Sequence, residues 1–162
     1  GHFHYTIMGG EIFALLAALY YWYPKITGRM YDERLGRLHF WWTFLAFNAT
    51  FLPMFWVGLH GMNRRIADYP ATLAGVNFWI SIAAFLLGGS FLVFLYNFVV
   101  RWVRGPQAEA NPWHASTLEW QVPSPPPVEN FPAPPAVVGP PYGYGMAGVR
   151  HAVLGVAGGS EE

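Results

Sequence analysis

The stretch Leu38-His39-Phe40-Trp41-Trp42-Thr43-Phe44-Leu45-Ala46-Phe47-Asn48-Ala49-Thr50-Phe51-Leu52-Pro53-Met54-Phe55-Trp56-Val57-Gly58-Leu59 runs for 22 residues without an Asp, Glu, Lys or Arg. At about 1.5 Å per residue, a helix of that length crosses the ~30 Å hydrocarbon core of a bilayer. It predicts a membrane span, kinked at Pro53. Working outward, Tyr5 to Tyr23 is a second apolar stretch that holds one carboxylate, Glu11, and the Pro24 that follows is expected to end its helix. Leu73 to Val100 is longer than a perpendicular crossing needs, so this third span should tilt or extend past one interface. Tyr20 to Tyr23, Trp41, Trp42, Tyr69 and Trp102 crowd the borders, as amphipathic rings do at headgroup level.

Composition agrees. Hydrophobic residues make up 54% of the 162 residues and charged ones only 11%, less than half of the roughly 25% usual in soluble domains. Period-2 patterning is absent, which argues against a membrane barrel. The expected fold is therefore an all-α membrane protein with three transmembrane helices, at about residues 2–23, 38–60 and 73–103, inside a region 1–104. Residues 105–162 form a Pro/Gly-rich tail, expected to be extended, to pack against partners near Leu118 to Phe131 without a core of its own, and to be disordered toward Glu162.

Nine basic residues balance nine acidic ones, so no strongly basic surface exists to hold nucleic acid by counterion release. The absence of cysteine excludes disulfides, thiolate metal sites and a covalently attached c-type haem. Any metal must then be held by histidine or carboxylate. The chain starts at Gly1 with neither an initiator Met nor a signal-peptide pattern, and reads as a piece of a longer protein.

Lys and Arg near the span ends set an expected orientation. Lys25, Arg29, Arg34, Arg37, Arg101 and Arg104 fall on one side, against Arg64 and Arg65 on the other. The positive-inside bias puts the first connection and the C-terminus in the cytoplasm, with Gly1 and the 61–70 connection outside. Arg64 and Arg65 go against that bias, which suggests a fixed anionic partner; adjacent loop arginines are otherwise simply solvated. The Asn48-Ala49-Thr50 sequon lies within a span and is discounted.

His2 and His4 open the first helix. At about 100° per residue their imidazoles leave on nearly opposite faces, which disfavours one shared metal and suits two planar cofactors flanking the helix. An interfacial histidine pair at a frayed helix end looks the same. Glu11, seven residues after His4, should fall on roughly the His4 face, where a proton-relay or hydrogen-bonding role competes with a protonated carboxyl facing another helix. His39 and His60 bound the second span and read as core or interfacial histidines with satisfied hydrogen bonds. His114 and His151 lie in the tail without a partner pattern.

The segment Gly1-His2-Phe3-His4-Tyr5 resembles the helix of haem-copper oxidase subunit I that supplies one axial ligand to each of two haems. The run Gly61-Met62-Asn63-Arg64-Arg65-Ile66-Ala67-Asp68-Tyr69-Pro70 is similar to that family's Gly-Met-Pro-Arg-Arg-x-x-Asp-Tyr-Pro loop, with Asn63 in place of the usual Pro. Gly58-Leu59-His60-Gly61, and Leu118-Glu119-Trp120 followed by Pro125-Pro126-Pro127, extend the likeness to about Pro132; Glu11 departs from it.

The resemblance implies the C-terminal part of the catalytic subunit of a proton-pumping terminal oxidase that reduces dioxygen to water. His2 would hold the iron of the high-spin haem and His4 that of the low-spin haem, with Phe3 between them and Arg64 and Arg65 on the propionates. Glu11 and Asp68 are candidates for a proton or hydrogen-bonding role. The implied cofactors are two haems, with type a expected though these residues do not fix the type, and a copper whose ligands belong to helices without a match here, so this piece alone is not expected to be active. The implied partners are the remaining helices of subunit I, oxidase subunits II and III, a cytochrome c or quinol donor and the lipid bilayer, in the inner membrane of the cell. A haem-free three-helix scaffold or assembly subunit and a small standalone membrane cytochrome are the alternatives.

Overall fold

A computed structural model describes residues 1–115, 117–131, 133–139 and 152–153. Three helices are long and apolar enough to cross a membrane: α1, His2–Thr27; α2, Glu33–Leu59; and α3, Ala71–Arg104. The chain divides into two compact units. One comprises Gly1–Tyr21 and Tyr31–Arg104; the other comprises Trp22–Met30 and the chain from Gly105 onward.

Helix α1 departs once from uniform α-winding. It is α-helical over His2–His4, π-helical over Tyr5–Ile12 and α-helical again over Phe13–Thr27. Hydrogen bonds to residue i−5 put more residues into each turn than those to i−4. Seven residues make nearly two α-turns but fewer π-turns, so His4 and Glu11 do not share a face: His4 is half-buried and Glu11 exposed.

Nor does Pro24 end this helix. It lies inside, and the helix continues to Thr27. A proline removes its own N–H bond and crowds the carbonyl four residues back, yet the next turn closes through Gly28 N–H to the Pro24 carbonyl at 2.8 Å and the Thr27 hydroxyl to the Tyr23 carbonyl at 2.9 Å. Gly28, at φ +71°, provides the left-handed step that stops the helix.

Asp32 starts α2. Its carboxylate accepts from the backbone N–H of Arg34 at 3.0 Å and of Leu35 at 3.2 Å, the N-cap arrangement that satisfies otherwise orphaned donors. The helix passes through Pro53 and ends at Leu59, with Gly61 at φ +87° turning the chain away. Helix α3 opens with a 3-10 turn, Ala71–Leu73. At about 1.5 Å per residue its length exceeds the hydrocarbon thickness.

Ala46, Phe47, Phe51 and Leu87 form the main buried cluster of the first unit, with Tyr5, Met8 and Phe13 of α1 packed against it. A smaller cluster, Val57, Leu73 and Ile80, joins the far end of α2 to the start of α3. Between the two helices the buried Thr43 hydroxyl donates to Ser90 Oγ at 2.8 Å, which in turn donates to the Leu87 carbonyl. At the other end Asn97 grips the Asp32 backbone twice, accepting from its N–H at 2.9 Å and donating to its carbonyl at 3.0 Å, while Arg101 pairs with the Asp32 carboxylate.

In the second unit, contrary to expectation, the tail does enclose buried side chains. Trp120 is 1% exposed and Val122 4%. The Lys25 ammonium donates to the carbonyls of Ala110, Val122 and Pro123 and lies 5.1 Å from the Trp120 ring centroid. One cation thus satisfies several carbonyls that would otherwise be stranded, so Pro-rich chain can wrap an indole without forming regular structure. Arg29 donates to the Gly105 carbonyl, and the backbone of Gly28 and Met30 bonds that of Ala108 and Pro106. Leu118–Trp120 is a 3-10 turn, and the two-residue strands β1, Ala136–Val137, and β2, Ala152–Val153, pair antiparallel. His151 and the segment toward Glu162 expected to be disordered lie outside the described residues.

Candidate functional site

Phe47, Phe51 and Phe55 stand four residues apart on α2, hence on one face. The N-terminal turns of α1 lay their rings along this ladder. His2 meets Phe55 edge-on with ring centroids 4.8 Å apart, and His4 stacks on Phe51 at 4.4 Å with 12° between the planes. Tyr5 reaches both Phe47 and Phe55, at 4.7 and 5.6 Å. Its hydroxyl donates to Asn48 Oδ1 at 2.7 Å, so the sequon asparagine is committed to a contact between helices. The two imidazoles touch the same neighbouring helix, one turn apart along it.

Neither imidazole has a hydrogen bond among the described residues. The other spans' histidines differ. His60 stacks on Trp56 at 3.9 Å and its Nδ1 lies 2.8 Å from the Trp56 carbonyl. His39, only 2% exposed, meets the Tyr20 hydroxyl through Nδ1 at 3.1 Å, but its Nε2 is buried without a partner among the described residues, so the expected satisfaction is only half met.

The connection after α2 returns to the His-bearing end of α1. Gly1, His2, Phe3, His4, Arg64 and Arg65 together line a cleft of about 550 Å³. Arg64 and Arg65 are exposed and have no ion pair or hydrogen bond among the described residues. Arg65 adopts φ +57°, a left-handed conformation that costs a non-glycine residue roughly 1 kcal/mol and tends to be kept where a site needs it. Chemically, the cleft is lined by two imidazoles and two guanidiniums that have no hydrogen bond among the described residues. Asp68 is not part of this lining; its carboxylate caps the N–H of Tyr69 at 2.9 Å. Glu11 lies outside it as well.

Residues 1–92 match the family model described as cytochrome c and quinol oxidase polypeptide I. The chain belongs to that family. Among curated relatives of this oxidase polypeptide, it is 48% identical over 146 residues to cytochrome c oxidase subunit 1 of Synechocystis sp., covering 90% of this chain and 26% of that protein. It is likewise 48% identical over 145 residues to cytochrome c oxidase subunit 1 of Thermostichus vulcanus, again 90% of this chain and 26% of the relative. A probable cytochrome c oxidase subunit 1-beta of Nocardia farcinica is 47% identical over 134 residues, 80% of this chain and 23% of the relative. The chain thus spans about a quarter of the length of these oxidase polypeptides. The family model covers α1, α2, the arginine connection and most of α3, so both halves of the cleft lie in its matched region.

Sequence reasoning missed the Phe47-Phe51-Phe55 ladder and the Tyr5–Asn48 bond. The first had a signal, phenylalanine at every fourth position. The second had none, since Asn48 reads as one polar residue in an apolar run until α1 is packed against it.

Proposed function

We propose that this chain is part of the catalytic subunit of a proton-pumping haem-copper terminal oxidase, which reduces dioxygen to water with electrons from cytochrome c or a quinol. In this reading His2 is the axial ligand of the high-spin haem iron, His4 a ligand of the low-spin haem iron, Phe3 the spacer between them, and Arg64 and Arg65 the anchors of haem propionates. The observation that carries it is the cleft in which Gly1 to His4 meet Arg64 and Arg65, on a chain whose family is that of oxidase polypeptide I.

The residues present suit the group. Imidazole nitrogens without a hydrogen bond among the described residues suit iron, and guanidiniums without an ion pair among those residues match carboxylates in a bidentate fork. Haem, when bound, supplies the redox chemistry, with a copper held by residues outside this chain. The protein's own contribution here is positional. Phe51 stacking orients the His4 ring, Phe55 limits His2, and the arginines would supply positive charge to propionates.

Gly1 and the arginine connection are assigned to the outer side of the inner membrane of the cell and the C-terminus to the cytoplasm, with the other helices of subunit I and subunits II and III as partners. Glu11, exposed on the π-helical stretch, is read as a carboxyl meeting another helix of the subunit rather than a relay beside His4. Asp68 has a hydrogen-bonding role within its own loop.

The test is spectroscopic, in the complete oxidase. His4→Ala should abolish the six-coordinate low-spin spectrum and His2→Ala the oxygen-binding haem signal. If either variant keeps both spectra, the ligand assignment is wrong. Arg64→Gln with Arg65→Gln should leave both ligands in place yet shift the haem midpoint potentials.

A further inference from the structure

We propose that Tyr5 and Asn48 form a latch that fixes the rotation of the His2–His4 turn about the axis of α1, making both of them positioning residues for the two imidazoles. The inference rests on the reading of His2 and His4 as haem ligands.

Three observations carry it. First, the Tyr5 hydroxyl donates to Asn48 Oδ1 at 2.7 Å across 43 residues of sequence, and among the described residues no other side-chain hydrogen bond ties residues 2–12 to α2. Second, the amide of Asn48 has a set direction. Its Nδ2 donates to the Phe44 carbonyl at 2.8 Å, which leaves Oδ1 as the acceptor facing the phenol. Third, Tyr5 is the first residue of the π-helical stretch Tyr5–Ile12, so the bond sits where winding changes.

That position matters because π-winding is rare and frequently falls at functional sites. Rewinding by one residue to α geometry would turn everything N-terminal to it by about 100°, carrying His4 off Phe51 and His2 off Phe55. The ring contacts orient each imidazole against its neighbour, but each is weak by itself. A hydrogen bond is directional, and in hydrocarbon the separated phenol and amide would each lose a partner that no water replaces. The latch therefore selects one rotation of the ligand-bearing turn.

The experiment uses the complete oxidase containing this chain and reads the EPR signal of the low-spin haem. Tyr5→Phe and Asn48→Leu are each expected to displace and broaden that signal, with both haems retained. The double variant Tyr5→Phe/Asn48→Leu is expected to keep the displaced signal, because an apolar pair cannot fix the rotation. A parental signal in the double variant overturns the proposal, since the disturbance then came only from an orphaned polar group. An unchanged signal in Tyr5→Phe overturns it too. Should Asn48→Leu fail to assemble, Tyr5→Phe decides alone, as it removes one oxygen and no packing. His4→Ala, run in parallel, separates the two layers of inference. Loss of the six-coordinate signal there, with Tyr5→Phe unaffected, defeats only the latch, whereas its survival in His4→Ala defeats the ligand reading and the latch together.

Discussion

Asp32 shows how much one side chain can decide. Backbone N–H groups of Leu35 and Arg34 and the Arg101 guanidinium all favour its ionised form and hold its carboxyl below the ordinary 3.8. A depressed native value means that the contribution to stability is complete above 3.8 and is lost as pH falls through the native value. Acid titration should therefore loosen the start of α2 before the apolar spans respond, read as faster amide exchange at Arg34 and Leu35. Asp32→Ala should cost about 1 kcal/mol from the cap alone, measured as reduced thermal stability in detergent. Asp32→Asn, which keeps a capping oxygen but loses the ion pair with Arg101, should cost less. Beside it, burial in the first place, then the Glu33 carboxylate, pushes the Tyr31 phenol up to about 12. A spectrophotometric titration should lose one phenol ionising near pH 12 in Tyr31→Phe. Neither residue stood out in the sequence: Asp32 is legible as an N-cap, but its grip by Asn97 and Arg101 joins positions more than 60 residues apart.

At the scale of elements, hydropathy located the three helices because a bilayer demands long apolar runs whatever the fold around them. Winding was not legible. The π-helical stretch of α1 depends on how Tyr5, Met8 and Phe13 seat against Phe47 and Phe51 of another helix. Pro24, likewise, stays inside α1 because the following turn is satisfied by Gly28 and Thr27. Gly28 is the tightest point of that ending. A Cβ there would lie 2.7 Å from Pro125 Cδ, on a backbone at φ +71°. Gly28→Ala should destabilise by at least roughly 1 kcal/mol, seen as faster proteolysis within residues 105–131. Between α2 and α3, Thr43→Val removes the donor to Ser90 while Ser90 keeps the Leu87 carbonyl. The loss should be about 0.6 kcal/mol, in line with hydrogen bonds between helices in membranes.

The whole molecule contains two separable tasks. The first unit brings together the His pair and the arginine pair; the second is organised on Lys25 and Trp120. Lys25→Met keeps the bulk of the stem but strands the carbonyls of Ala110, Val122 and Pro123, at a cost of roughly 1–3 kcal/mol. In the complete oxidase the expected outcome is a tail cut more readily by protease within residues 105–131, with the haem spectra unchanged. A simultaneous change in the spectra would show that the two units do not act independently. Lys25, Arg29 and Arg101, counted above among the cations near the span ends, are each engaged within the protein. Arg64 and Arg65 are not so engaged among the described residues, which is consistent with the proposed role as anchors for an anionic group.

The sequence by itself determined the solvent, the number of spans and the residue types that could do chemistry, because burial in lipid and the choice of metal-binding side chains are written locally in the chain. Only the tertiary structure decided that His2 meets Phe55, that His4 stacks on Phe51, and that residues 1–4 share a cleft with residues 64–65. Those pairings join distant parts of the chain, and packing between helices, which no single stretch encodes, selects them.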